Sequence, residues 1–209
     1  MLLRMLSDVE KLHFLELADL LLLADKRILW GGKTIDQLTV DSDLEQLALE
    51  ENEHDRELLT ELEQTAGIKT GGGLGATSSL VDFMVSRKNS LDSGLVRSRT
   101  KVPYRLVEVL KTYPFIKLKT EKCRIQAAVT VLAELLEATR YTTLSTSKII
   151  LFELLLVALR DGRITDAETA ILKEFQTRCG LEDFLYEDLL ERAEALNSEM
   201  SKTLSIVLE

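Results

Sequence analysis

Apolar residues recur along this chain mostly three or four positions apart, the spacing that lays them on one face of a helix. The first run follows Ser7-x-x-Glu10, a capping box in which hydroxyl and carboxylate each meet a free backbone N–H. It predicts a helix to about Lys26, with Leu12, Leu15, Leu20 and Leu23 inward. Gly31-Gly32 breaks it, and Ile35 to Val40 reads as a short strand or an irregular connector. Ser42-x-x-Glu45 predicts a second capped helix to Ala66, stopped by Gly67. Leu44, Leu47, Leu58 and Leu62 form its apolar face, and the charged stretch Glu50 to Glu57 reads as a solvated one.

Residues 67–77 are glycine-rich and read as a linker. No Lys-Ser/Thr follows the glycines, so they do not form a phosphate-binding loop. A short helix is expected over Ser78 to Lys88. Another is expected over Pro103 to Lys111, with proline in its first turn and Tyr113-Pro114 at its end. Thr120 to Thr139 is amphipathic, with Ile125, Val129, Leu132 and Leu136 in one stripe. Thr146 to Arg160, Thr165 to Cys179 (stopped by Gly180), Glu182 to Leu196 and a short Ser198 to Glu209 complete the pattern. The expected fold class is all-α.

Composition agrees with helix: apolar residues are 45% of 209, and there are only 2 prolines. The formal charge of −9 predicts a soluble chain and disfavours its surface as a whole for nucleic acid. The charge is uneven, however. Residues 87–124 hold 11 Lys/Arg against 3 Asp/Glu, a local +8, which leaves 15 against 32, or −17, elsewhere. Cys123 and Cys179 match no metal or redox spacing and read as free thiols of a reducing compartment. No secretory signal is legible at the start, and the apolar runs Leu20 to Ala24 and Ile149 to Leu159 are too short to span a bilayer. A cytoplasmic location is expected.

The densest candidate chemistry lies in Arg160-Asp-Gly-Arg-Ile-Thr-Asp-Ala-Glu-Thr169. Taking Asp161 as the fifth position of an EF-hand loop puts Gly162, Ile164 and Glu168 where that loop needs them. It also puts Val157 and Leu159 where calcium needs oxygen ligands. A capped turn explains the same residues: Gly162 ends one helix, and Thr165-x-x-Glu168 starts the next.

The run from Ser147 to Ala193 resembles the second repeat of the TerB-like family, named for a tellurite-resistance protein. Ala158, Asp161, Gly162, Ile164 and Glu168 carry the resemblance. Residues 8–66 are similar, more faintly, to the first repeat. Leu20 to Ile28 lies over Leu156 to Ile164, so Asp25 matches Asp161, while Lys26 stands where the second repeat has Gly162. The resemblance implies an all-α bundle of two diverged helical-hairpin repeats with a central insertion. Residues 1–66 would be the first repeat, 67–77 a linker, 78–119 a basic helical insertion and 120–209 the second repeat. It further implies a non-enzymatic cytoplasmic protein of stress-response or defence systems, in membrane-linked complexes. A divalent cation such as calcium would sit at Asp161, Asp166 and Glu168, with Asp25 as a weaker partner.

Other constellations are sparser. Glu10-x-x-His13 and Glu51-x-x-His54 have the spacing of di-iron bundles, but no helix precedes Glu10 to supply the further glutamate. No Ser-His-Asp order and no Gly-x-Ser-x-Gly is present. The basic segment interleaves Tyr104, Tyr113 and Phe115 with Lys101, Arg105, Lys111 and Lys117, a mix suited to nucleic acid or to an acidic partner. The expectation is a non-catalytic adaptor or scaffold working by protein contacts, self-association included, with weak divalent-cation tuning. The alternative is a nucleic-acid-associated component using Arg97, Arg99, Lys101, Arg105 and Lys111.

Overall fold

The computed structural model describes residues 2–40, 42–50, 52–67, 101–139, 141 and 143–208. The helix expected over 78–88 and most of the linker lie outside them, as do Arg97 and Arg99. The rest is mostly helical, with one two-stranded sheet.

Helix α1 (Asp8–Leu23) starts from the Ser7 capping box, as expected. It buries Phe14, Leu15, Leu17, Ala18, Leu20 and Leu21, so most of its circumference faces core. The chain then turns into strand β1 (Ile28–Trp30), antiparallel to β2 (Leu47–Leu49), with Ile28 opposite Leu49 and Trp30 opposite Leu47. Gly31 and Gly32 have φ of 55° and 78° and carry the tight turn after Trp30 that glycine tolerates best.

Ile35 to Val40 is the irregular connector of the two readings, with a 3-10 turn at Ile35–Gln37. The hairpin corrects one expectation. Ser42 does not open a helix: its hydroxyl accepts the Thr39 N–H at 2.8 Å. Leu47 to Leu49 are held by pairing with β1, and Leu44 is exposed. The cross-strand partner overrides the capping signal, and helix α2 (Glu53–Ala66) starts from Asn52 instead. Gly67 ends it in the left-handed region, as expected.

Helix α3 (Lys101–Lys111) buries Val102, Leu106, Val109 and Leu110 against α1, β2 and a later helix, α5. Residues 101–111 therefore belong to the shared core, although the sequence places them in an insertion. A one-turn helix α4 (Phe115–Leu118) follows Pro114, and α5 (Glu121–Ala138) follows Thr120. The most buried face of α5 is Ala127, Ala128, Val131 and Leu132, so the expected stripe is rotated toward its small residues. Helix α6 (Leu144–Ala158), a 3-10 turn (Leu159–Asp161), α7 (Asp166–Arg178) and α8 (Asp183–Leu208) complete the chain. Glu182 to Leu196 and Ser198 to Glu209 were expected as two helices, yet α8 runs straight through. Asn197 interrupts the apolar pattern because its amide donates to the Leu159 carbonyl at 2.8 Å, pinning α8 to the end of α6.

Helices α1 and α6 lie against each other. Ser7 and Thr143 are their N-caps. Glu10 and Thr146, 136 positions apart, meet at 2.9 Å at the N-terminal ends. Asp25 and Asp161 approach the same lysine beyond the C-terminal ends. The two helices therefore run parallel, side by side, and the others pack around them.

Glu153 interrupts the apolar run of α6 and is fully buried. It accepts the Leu2 N–H and so ties the N-terminal 3-10 turn (Leu3–Met5) to the core. Burial pushes its carboxyl above the ordinary range, against the pull of the Leu2 and Leu3 N–H groups. Its charge costs stability above the raised pKa, and that cost is relieved as pH falls through it. Glu153→Gln keeps an acceptor without the charge, and should equal or exceed wild type at neutral pH by up to about 2 kcal/mol. The difference should shrink toward low pH in urea unfolding. Glu153→Ala should instead lose roughly 1–3 kcal/mol, because it strands the Leu2 N–H.

Candidate functional site

The residues nominated for a cation divide. Glu168 belongs to the first turn of α7 and closes its capping box. Its Oε2 accepts the Thr165 N–H at 2.8 Å and the Thr165 hydroxyl at 2.9 Å. Burial raises its pKa, and the charges of Asp25 and Asp161 raise it further. Those three carboxylates are thus gathered where α1 and α6 end. Asp166 is exposed in the first turn of α7, where the positive end of the helix dipole suits it.

The gathering already contains a cation. Lys26 Nζ lies 2.7 Å from Asp55 Oδ2 on α2 and 3.7 Å from Asp25 Oδ1. The Lys26 and Asp55 side chains are only 19% and 15% exposed. Burial works against the ammonium, but the Asp55 hydrogen bond and the charges of Asp25, Asp55 and Asp161 outweigh it, and its pKa is raised. The carbonyl ends of α1 and α6 add negative potential in the same sense. Lys26 is the residue that departs from the Asp-Gly pattern of the second repeat, and its ammonium supplies the positive charge that an ion would bring. Among the described residues, no group of three or more His, Cys, Asp or Glu is arranged to hold a metal ion.

The two Glu-x-x-His pairs do not meet there either. His54 is exposed at the start of α2, and Glu51 lies outside the described residues. His13 is 2% exposed, and its Nδ1 is 2.7 Å from the Tyr141 hydroxyl. Burial pulls its pKa down to about 4, with the Leu135 carbonyl acting the other way. Burial holds the Tyr141 hydroxyl protonated far above neutrality, and the charges of Cys179, Glu10 and Glu16 reinforce this. Burial also raises the Cys179 thiol, despite a hydrogen bond with Ser147. The base and nucleophile candidates of this region are therefore neutral at pH 7 and not activated.

The basic segment is spent in part on internal pairs. Arg105 forms a two-pronged bond to Glu134 at 2.6 and 2.7 Å, and Lys111 bonds Glu108 at 3.3 Å. Lys101 opens α3. Phe115 meets Trp30 edge-on, with centroids 5.3 Å apart, so it is not a free stacking surface.

Sequence reasoning missed the free end of α8. From Ser198 to Leu208 every residue is exposed. Ala193, Leu196, Met200, Thr203 and Val207 alternate spacings of three and four along the helix, a coiled-coil seam broken only by Thr203. Leu204 and Leu208 widen it. Met200 is 57% and Leu208 82% exposed. The signal was available in the spacing, but reading the tail as a separate short helix hid its continuity. No described helix is long and apolar enough to cross a membrane. Compared with protein families, curated proteins and solved structures, the chain finds no match in any of the three.

Proposed function

We propose that this protein is a non-catalytic, cytoplasmic helical adaptor that works by protein contacts through the free end of α8. The observation that carries the reading is the projecting apolar seam. Eleven exposed residues, about 16 Å of helix, extend past the hydrogen bond from Asn197 to the Leu159 carbonyl. Apolar side chains lined up in water are stabilised by covering them. Charge selects the cover. From Glu182 to Lys202 there are seven acidic residues against Arg192 and Lys202. A second copy would bring the same acidic flank, in a chain of net −9. An amphipathic helix with an apolar stripe and Lys/Arg flanks complements both features. The resemblance to TerB-like proteins would place such an adaptor in stress-response or defence complexes.

Divalent-cation tuning, the other part of that resemblance, would act beside Lys26, whose ammonium already faces Asp55 and Asp25. The nucleic-acid alternative would rest on Arg97, Arg99 and Lys101, because Arg105 and Lys111 are already paired. Its sign would be heparin retention that falls steeply with salt.

The test uses peptides of about three heptads with leucine at the seam and either Lys or Glu flanks. The Lys-flanked peptide should bind wild type, and the Glu-flanked one should bind much more weakly. Met200→Glu/Leu204→Glu should abolish binding although it makes the protein more negative. Equal or tighter binding by that variant would reduce the effect to bulk charge and overturn the reading. Wild-type dimers in sedimentation velocity that persist with the peptide present would show that a second copy is the occupant.

A further inference from the structure

A cleft of about 330 Å³ lies between the hairpin and the α4–α5 junction. Its apolar lining is Ile28, Trp30, Ile35 and Leu118, and its polar lining is Arg27, Thr34, Asp36, Lys119 and Arg124. Three cations thus face one carboxylate in a chain whose carboxylates outnumber its cations 35 to 26. Yet among the described residues none of the three makes an ion pair, with Asp36 or with any other group.

The three are held in different ways. Arg124 Nη1 donates to the Lys26 carbonyl at 3.1 Å and to the Asp25 carbonyl at 3.5 Å, which fixes the guanidinium while leaving its other N–H groups without a partner among the described residues. Lys119 Nζ sits over the Phe115 ring, 5.7 Å from its centroid. Arg27 is exposed at the entry to β1. Thr120, next to Lys119, is the N-cap of α5 and makes no side-chain cap bond, so the positive end of that helix dipole adds to the same field.

We propose that this cleft binds a small organic phosphate, with the phosphate against Arg27, Lys119 and Arg124 and its apolar body on Ile35 and Leu118. Guanidinium groups match phosphate oxygens in pairs, and the volume is at the lower end of small-molecule sites, roughly 300–1,000 Å³. Asp36 opposes a bare polyanion and favours a ligand that also carries a hydroxyl or amine donor. AMP is therefore the probe of choice.

Trp30, the only tryptophan, lines the cleft and reports on it by fluorescence. Titration with AMP should give a saturable change that weakens with added salt, and adenosine should give none. Arg27→Gln/Lys119→Gln changes only exposed side chains and should weaken AMP at least about tenfold, with unchanged melting temperature. Arg124 is left in place because it also holds the end of α1. No saturable change up to about 10 mM AMP, equal binding of adenosine, or unchanged affinity in the double variant would each overturn the proposal.

Discussion

Replacing Lys26 by Met is expected to lower stability by roughly 2–4 kcal/mol. The variant leaves Asp55, Asp25 and Asp161 facing the carbonyl ends of two parallel helices with no nearby ammonium. The Lys26–Asp55 pair is mostly buried, so solvent screens it less than it would a surface pair. The pKa of Lys26 is raised on folding, so its contribution is fully present below the unfolded value and fades only as pH rises through the folded one. The loss should therefore be constant across neutral pH. Lys26→Met/Asp55→Asn should recover part of it, because one stranded carboxylate is removed with the ammonium. Calcium, magnesium or manganese at millimolar concentration should raise the melting temperature of Lys26→Met by several degrees over EDTA, and leave wild type unchanged. A cation-specific rise in wild type, lost in Asp161→Asn/Glu168→Gln, would instead mean that an ion binds beside the lysine.

The second large effect is acid sensitivity. His13 is held neutral, with a folded pKa of about 4 against an ordinary value of 6.5. A depressed folded pKa means that the unfolded chain binds the proton first. Stability from this residue is therefore whole above about pH 6.5 and is lost as pH falls toward 4. Fully titrated, the loss is about 3 kcal/mol, an order-of-magnitude figure for a buried group. His13→Gln keeps a hydrogen-bonding group for the Tyr141 hydroxyl and should remove that component from urea unfolding followed against pH. Glu10 and Glu134 act lower. The Ser7 bonds depress the first and the Arg105 bond the second, so their contributions vanish only as pH falls below the ordinary carboxylate range. Equal pH slopes for wild type and His13→Gln between pH 6.5 and 4.5 would remove His13 from the account.

Local signals were legible wherever they acted alone. The capping boxes at Ser7 and Thr165, the left-handed stops at Gly67 and Gly162, and the break at Pro114 all occur where the sequence puts them. They failed where a distant partner competed. Leu47 to Leu49 carry helical spacing but are held by β1, and no local rule registers a strand partner nearly twenty residues away. Asn197 looked like a break, whereas its amide finds the Leu159 carbonyl. The candidate site was half legible. The sequence nominated Asp161, Asp166 and Glu168 with Asp25 as a weaker partner; the charges of Asp25 and Asp161 do act on Glu168, Asp166 is exposed on α7, and Lys26 registered only as a missing glycine. Lys26, where the second hairpin has Gly162, brings an ammonium against Asp55 and Asp25.

The central claim is that the end of α8 is an uncovered contact surface, and amide hydrogen exchange over residues 198–208 tests it most directly. In dilute wild-type protein these amides should exchange fast while those of α6 stay protected, because the side chains of the free end are exposed and no described residue packs on them. Adding the Lys-flanked peptide should protect them selectively, and should fail to do so in Met200→Glu/Leu204→Glu. Strong protection in the free monomer, or none on saturation with the peptide, would contradict the account.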